Sequence, residues 1–190
     1  DLIWAGNETR EPDSADWGRY PQYLAFYIQT YLNEVGGGKC GGGWYDCLTT
    51  KPETYLEQAR QTILGRADES MLFCYDILTQ DELGCADTQA LRGELPGLFK
   101  LDGLLEGYSL FGVDAPRMQN MVVDGNERNF YPFCGMLGIP VIGKTTLNEN
   151  AASAVLGVQA ALFPDIVPYI CSMLEKSSPL LLSSGLMESI

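Results

Sequence analysis

The chain has 190 residues, 46% of them hydrophobic, with 25 acidic against 12 basic side chains and a formal net charge of −13. That length makes one large domain or two small ones, and the apolar content suffices for a core. There is no basic footprint for nucleic acid, and the acidic balance disfavours anionic membranes while suiting a neutral or cationic ligand.

No apolar run reaches the roughly 18 residues of a membrane-spanning helix, and the N-terminus lacks the charged and apolar regions of a signal peptide. Histidine is absent. That excludes Ser-His-Asp and Cys-His triads within the chain, and histidine-ligated zinc with them. Acid–base work falls to carboxylates, tyrosine or lysine. No metal and no cofactor is expected.

Asp1 to Gly6 predicts a strand, followed by Asn7-Glu8-Thr9-Arg10 and a polar turn at Pro12 and Asp13. From Tyr20, the positions Tyr20, Leu24, Tyr27, Ile28, Tyr31, Leu32 and Val35 recur at helical spacing, and the glycines from Gly36 stop that helix. Gly36 to Cys47 then holds six glycines, two aromatics and a carboxylate. A glycine costs about 1 kcal/mol in a helix relative to alanine, but it lets backbones approach closely. The stretch reads as a short buried strand that presents Trp44, Tyr45 and Asp46 at a pocket mouth; the alternative is a flexible linker.

Thr50 and Glu53 have capping-box spacing, with Pro52 in the first turn. The helix they open carries Tyr55, Leu56, Ala59, Ile63 and Leu64 on one face and closes at Gly65. Ser70 to Tyr75 is a third strand, ending at Asp76. Strand, helix, strand, helix, strand is the grammar of a parallel sheet. The polar stretch from Thr79 to Asp87 suggests a boundary, dividing the chain into 1–84 and 85–190.

In the second half Leu91, Leu95, Leu98, Leu101, Leu104 and Leu105 form a helical stripe, bent at Pro96. Strands are expected at Leu110 to Val113, from Val141, from Ala154 to Val158 and at Leu180 to Leu182, with a loop from Asp114 to Asn129. Asn129 caps a helix through Leu137, and Asp165 caps another carrying Ile166, Val167, Ile170, Cys171 and Leu174. This half reads as a small doubly wound α/β unit.

Each strand of the first half ends in an acid: Glu8, Asp46 and Asp76. In a parallel β/α array the C-terminal strand ends converge on one face, where sites are built. Acids beside tryptophan and tyrosine suit a sugar, because aromatic rings cover its apolar face and carboxylates carry glycosidic chemistry. The plainer alternative makes each acid a solvated turn residue or a helix cap. Gly38-Lys39 is no phosphate loop, because Asn33 stands where the first glycine belongs and Cys40 replaces the serine or threonine. The six cysteines contain no C-x-x-C pair. Cys40, Cys74, Cys134 and Cys171 lie in apolar segments and are expected as buried free thiols; the alternative is three disulfides, with fifteen possible pairings.

The stretches Asp1 to Arg10, Gly41 to Asp46, Tyr55 to Thr62 and Ser70 to Tyr75 resemble the last three strands of a TIM-barrel glycoside-hydrolase-like protein of the β-galactosidase-like group. Residues from about 88 to 190, with Asn129 to Pro140 and Val141 to Lys144, are similar to the flavodoxin-like, glutamine-amidotransferase-like domain that follows that barrel. The resemblance implies an α/β protein that hydrolyses a glycosidic bond in a carbohydrate. Its acid/base glutamate would follow strand four, which has no counterpart here. The nucleophile would follow strand seven and match Asp46, although glutamate is usual there. Asp46 is thus the candidate nucleophile or base and Glu8 the second acid. Asn7, Arg10, Trp44, Tyr45, Tyr75 and Asp76 would line the substrate. Three strands cannot close a barrel, so the resemblance also implies that the chain is the C-terminal part of a longer protein, or that a homo-oligomer or another chain supplies the remaining strands. The rival expectation is a non-catalytic carbohydrate-binding or structural subunit.

Overall fold

The computed structural model describes residues 2–11, 20–80, 82–119 and 127–190. The turn expected at Pro12 and Asp13, and residues 120–126 of the loop expected from Asp114 to Asn129, lie outside them. Contacts divide the chain into two units, Asp1–Ser109 and Leu110–Ile190. The fold is α/β, with two parallel sheets.

Unit 1 is built on the strands β1 (Ile3–Gly6), β2 (Cys40–Asp46) and β3 (Glu69–Phe73), in the order β1-β2-β3. Gly6 pairs with Trp44, and Asp46 with Phe73. The connections are α1 (Tyr23–Gly36), ending in a short 3-10 turn at Gly37–Lys39, and α2 (Pro52–Leu64). The glycine stretch therefore divides: Gly36 to Lys39 finishes the helix, and Cys40–Asp46 is strand. Beyond β3 come α3 (Tyr75–Gln80) and α4 (Glu82–Leu105), with Pro96 inside the latter.

The polar stretch from Thr79 to Asp87 predicts a boundary at 84/85. The contact division falls instead after Ser109, because α4 packs against α2 and buries Leu91 and Leu98 in the core of unit 1. The capping box also differs. Lys51 holds the N-cap position of α2, and the Thr50 hydroxyl is bonded to the Cys47 carbonyl and to Asp87.

Side chains alternate across a strand, so β2 has two unlike faces. Tyr45 and Cys47 enter the core with Tyr55, Ala59, Leu78, Leu91 and Leu98. Gly43 lies on that same side, beneath a buried polar cluster. There the Asn7 amide donates to Gln29 Oε1 at 2.8 Å and to Thr62 Oγ1 at 3.1 Å, and Gln29 Nε2 donates to Asn33 Oδ1 at 2.8 Å. A side chain at Gly43 would meet Asn7, Gln29 and Thr62 at once.

Gly43→Ala is therefore expected to lower the stability of the chain by about 3 kcal/mol, the upper end for a forced overpacking, read as a shift in urea midpoint. Gly38→Ala faces open space and should shift it by no more than about 0.5 kcal/mol.

Unit 2 holds β4 (Val113–Pro116), α5 (Phe130–Met136), β5 (Val141–Lys144), β6 (Ala154–Leu156), a 3-10 turn at Val158–Leu162, α6 (Ile166–Glu175), β7 (Leu180–Leu182) and α7 (Ser184–Ser189). Its sheet runs β5-β4-β6-β7, all parallel. The core gathers Leu156, Phe163, Ile166, Tyr169, Ile170, Met173 and Leu186. Asn129 and Asp165 hold the N-cap positions of α5 and α6 without a side-chain cap bond, whereas Ser183 caps α7 by accepting from the Leu186 N–H. Among the described residues no helix is long and apolar enough to cross a membrane.

Candidate active site

The strand ends of unit 1 gather most of the chemistry. β1 stops at Gly6, and the next residues separate by alternation. Asn7 turns to the helix side, where it is fully buried and bonded to Gln29 and Thr62. Its expected place on a substrate surface is corrected: its amide spans β1, α1 and α2. Glu8 turns to the opposite face. A Cβ on Gly6 would meet Glu8 Oε2 at 3.0 Å and the Trp44 ring at 3.2 Å, so carboxylate and indole lie side by side over that glycine. Glu8 Oε2 is buried and has no hydrogen-bond partner. The edge of Trp44 meets Phe73, ring centroids 6.0 Å apart.

Arg10 and Asp46 form an ion pair whose members are both buried. Arg10 Nη1 also donates to the Leu48 carbonyl at 3.2 Å, and Asp46 Oδ1 accepts the Leu48 N–H at 2.9 Å. Gln58 fastens the same corner, donating to the Asp46 carbonyl at 3.1 Å and accepting the Thr9 N–H at 3.1 Å. Burial works against the charge on Arg10, while Glu8 and Cys47 favour it. The arginine thus holds Asp46 directly and feels Glu8 through space.

Two further expectations are revised. Tyr45 does not stand at a pocket mouth: it is 2% exposed and packs edge-on against Tyr55 at 5.4 Å, and burial drives its phenol pKa upward. Cys171 is exposed and Cys74 half-buried, so only Cys40 and Cys134 of the four cysteines expected in the core lie there. Tyr75 is 81% exposed at the start of α3. Asp76 is exposed beside it and accepts a hydrogen bond from the Cys74 thiol at 2.8 Å, which lowers its pKa.

Sequence reasoning missed Asp87, which arrives from α4. It is fully buried, accepts from the Thr50 hydroxyl at 3.2 Å, and leaves Oδ1 without a partner. Burial, opposed by Thr50 and helped by Glu11 and Glu53, pushes its carboxyl up to about 6. No sequence signal marks it, because it ends the polar stretch from Thr79 to Asp87 that reads as a boundary.

The folded chain keeps this proton up to about pH 6, whereas the unfolded chain loses it near 3.8. The contribution to stability is therefore complete below pH 3.8 and is lost as pH rises through 6, in total about 3 kcal/mol. Asp87→Asn should remove that component, so the stability difference between variant and parent grows in the variant's favour from pH 4 to 7. Urea titrations of both proteins across that range check it.

Among the described residues, no group of three or more histidine, cysteine, aspartate or glutamate side chains could hold a metal ion. The family comparison bears on the part of the chain that carries Glu8, Trp44 and the Arg10–Asp46 pair. Residues 1–109 match the family model described as probable glycosyl hydrolase, catalytic domain. The chain belongs to that family. The matched span is the whole of unit 1, α4 included. The function is glycoside-hydrolase-like at this coarse level. No curated relative matches the chain, and no solved structure does.

In unit 2 the crevice where β4 and β6 diverge, the usual ligand position of an open parallel sheet, is already bridged. The Tyr131 hydroxyl donates to the Pro116 carbonyl and accepts the Gly157 N–H, each at 3.1 Å. Glu127 accepts the N–H groups of Val158 at 2.7 Å and Gly185 at 3.1 Å.

Proposed function

We propose that unit 1 hydrolyses a glycosidic bond in a carbohydrate, with Glu8 as the acid that meets the substrate and Trp44 as the ring under the sugar. The observation that carries this is the bare, buried Oε2 of Glu8 beside the indole. A carboxyl group in that position can protonate a leaving glycosidic oxygen and then take a proton from water. Asp46, the sequence-based candidate for nucleophile or base, is engaged by Arg10 and by the Leu48 N–H. The geometry favours it as a positioning residue that holds Arg10 near Glu8. Tyr75 and Asp76, both exposed, are proposed as outer contacts to the sugar.

The same engagement favours a second reading, a carbohydrate-binding protein without catalysis, since glycoside hydrolysis ordinarily uses two carboxylates. Assays of the full chain on a panel of chromogenic aryl glycosides, with Glu8→Gln as control, separate the two. Turnover lost in the variant supports hydrolysis. Sugar binding without turnover in either protein supports the rival.

Both β1 and β3 are sheet edges, and Met71, Leu72 and Phe73 are exposed along β3. This supports a partner, either a second copy or another chain, that adds strands to the sheet as a barrel would require. For unit 2 we propose a flavodoxin-like domain. Its order, with the first strand second in the sheet, follows the 2-1-3-4 beginning of that topology.

A further inference from the structure

We propose that Cys47 and Cys74 are a redox-active pair, which a low-molecular-weight disulfide converts into a cross-link between the C-terminal ends of β2 and β3. The strands are parallel and in register up to Asp46 and Phe73. Cys47 and Cys74 are the next residue on each. Neighbouring strands lie about 4.8 Å apart, inside the window of about 4.4–6.8 Å between Cα atoms that a disulfide spans. Cys74 is close enough to act electrostatically on the Cys47 thiol. Cys47 is buried in the core of unit 1, while Cys74 is half-buried with its thiol on Asp76 at 2.8 Å. One sulfur is therefore open to a reagent and the other is screened from it.

The exchange balances as follows. The Cys74 thiol loses its proton to solvent, and the thiolate attacks one sulfur of the reagent, forming a mixed disulfide and expelling the first reagent thiolate. The Cys47 thiol gives up its proton in turn, and its thiolate attacks the Cys74 sulfur, closing the internal bond and expelling the second reagent thiolate. The two expelled thiolates take up the two protons released. Two cysteine thiols are oxidised, and one reagent disulfide is reduced to two thiols. The hydrogen bond to Asp76 holds the Cys74 thiol above its ordinary pKa, and burial does the same for Cys47. Closure is accordingly faster in alkaline solution. The cross-link would tie the residue after Asp46 to the residue after Phe73, bracing the rim on which Trp44 and Phe73 meet. The pairing does not depend on the sugar chemistry proposed above.

The native full chain, incubated with oxidised glutathione at mildly alkaline pH and alkylated, is digested with trypsin and chymotrypsin and mapped by mass spectrometry. Chymotryptic cuts after Trp44 and Tyr45 separate Cys40 from Cys47, and cuts after Tyr75 and Leu78 separate Cys74 from Cys85. The expected result is a cross-linked peptide joining Cys47 to Cys74. In Cys47→Ser the reaction should stop at a glutathione adduct on Cys74, and in Cys74→Ser Cys47 should stay reduced. A parent map in which Cys47 stays alkylated, or is joined to another cysteine, overturns the proposal. So does a stable glutathione adduct on Cys74 of the parent. The parent map decides even where a serine variant does not fold.

Discussion

Glu8→Gln is expected to lower glycosidase turnover by a factor of about 10²–10⁴, the range that a positioned general acid or base supplies. The substitution keeps shape and removes only the ability to give and take a proton. Glu8 is suited to a clean test because Oε2 has no hydrogen-bond partner to lose. The fold should be indifferent to the change, or gain slightly, since a buried acceptor without a partner is a cost to the folded state. Urea midpoints of parent and variant therefore agree to within about 0.5 kcal/mol while the rates part. Sugar affinity should survive, since the Trp44 ring is untouched. Equal rates in the two proteins would remove Glu8 from the mechanism. A matching fall in stability would mean that the carboxylate holds the strand end together and does no chemistry.

Legibility varied with the kind of signal. The alternation of β1, α1, β2, α2 and β3 shows in apolar periodicity, because each helix has one face to bury and each strand is short. Helix α4 shows as its leucine stripe, yet its membership does not. A stripe says that a face is buried, never against what, and here α2 is the partner. The same limit explains Tyr45 and Trp44. Adjacent residues on a strand must point to opposite faces, but which face receives the helices is settled by packing at a distance. Asn7 and Glu8 divide in the same way, so an amide and a carboxylate of similar length ended in unlike surroundings. The acids at the strand ends were visible. Their bonding was not, because Arg10, Gln58 and Asp87 come from three different segments. In unit 2 most strands show as short apolar runs, while Tyr131 and Glu127 make contacts that no local pattern announces.

Removing one member of the Arg10–Asp46 pair should be far more damaging than removing both. Asp46→Leu removes the carboxylate that pairs with Arg10, a guanidinium only 6% exposed. Breaking a buried pair from one side costs about 3–5 kcal/mol, whereas exchanging both partners for apolar groups of similar volume is often neutral. The double variant Arg10→Met, Asp46→Leu is therefore expected to lie within about 1–2 kcal/mol of the parent, and the double-mutant cycle to show coupling of several kcal/mol. The Leu48 N–H tempers this recovery, since it loses the acceptor it has in Asp46 Oδ1. Activity should follow a different order. If Asp46 acts by holding Arg10 near Glu8, Asp46→Asn keeps an acceptor for Arg10 and Leu48 and should retain part of the turnover. The stable double variant, which lacks the arginine, should retain almost none. A reacting carboxylate reverses that expectation, because Asp46→Asn would then be as inactive as Glu8→Gln at a stability close to the parent's. Rates and urea midpoints measured on the parent, Asp46→Asn, the double variant and Glu8→Gln decide between a positioning and a reacting Asp46.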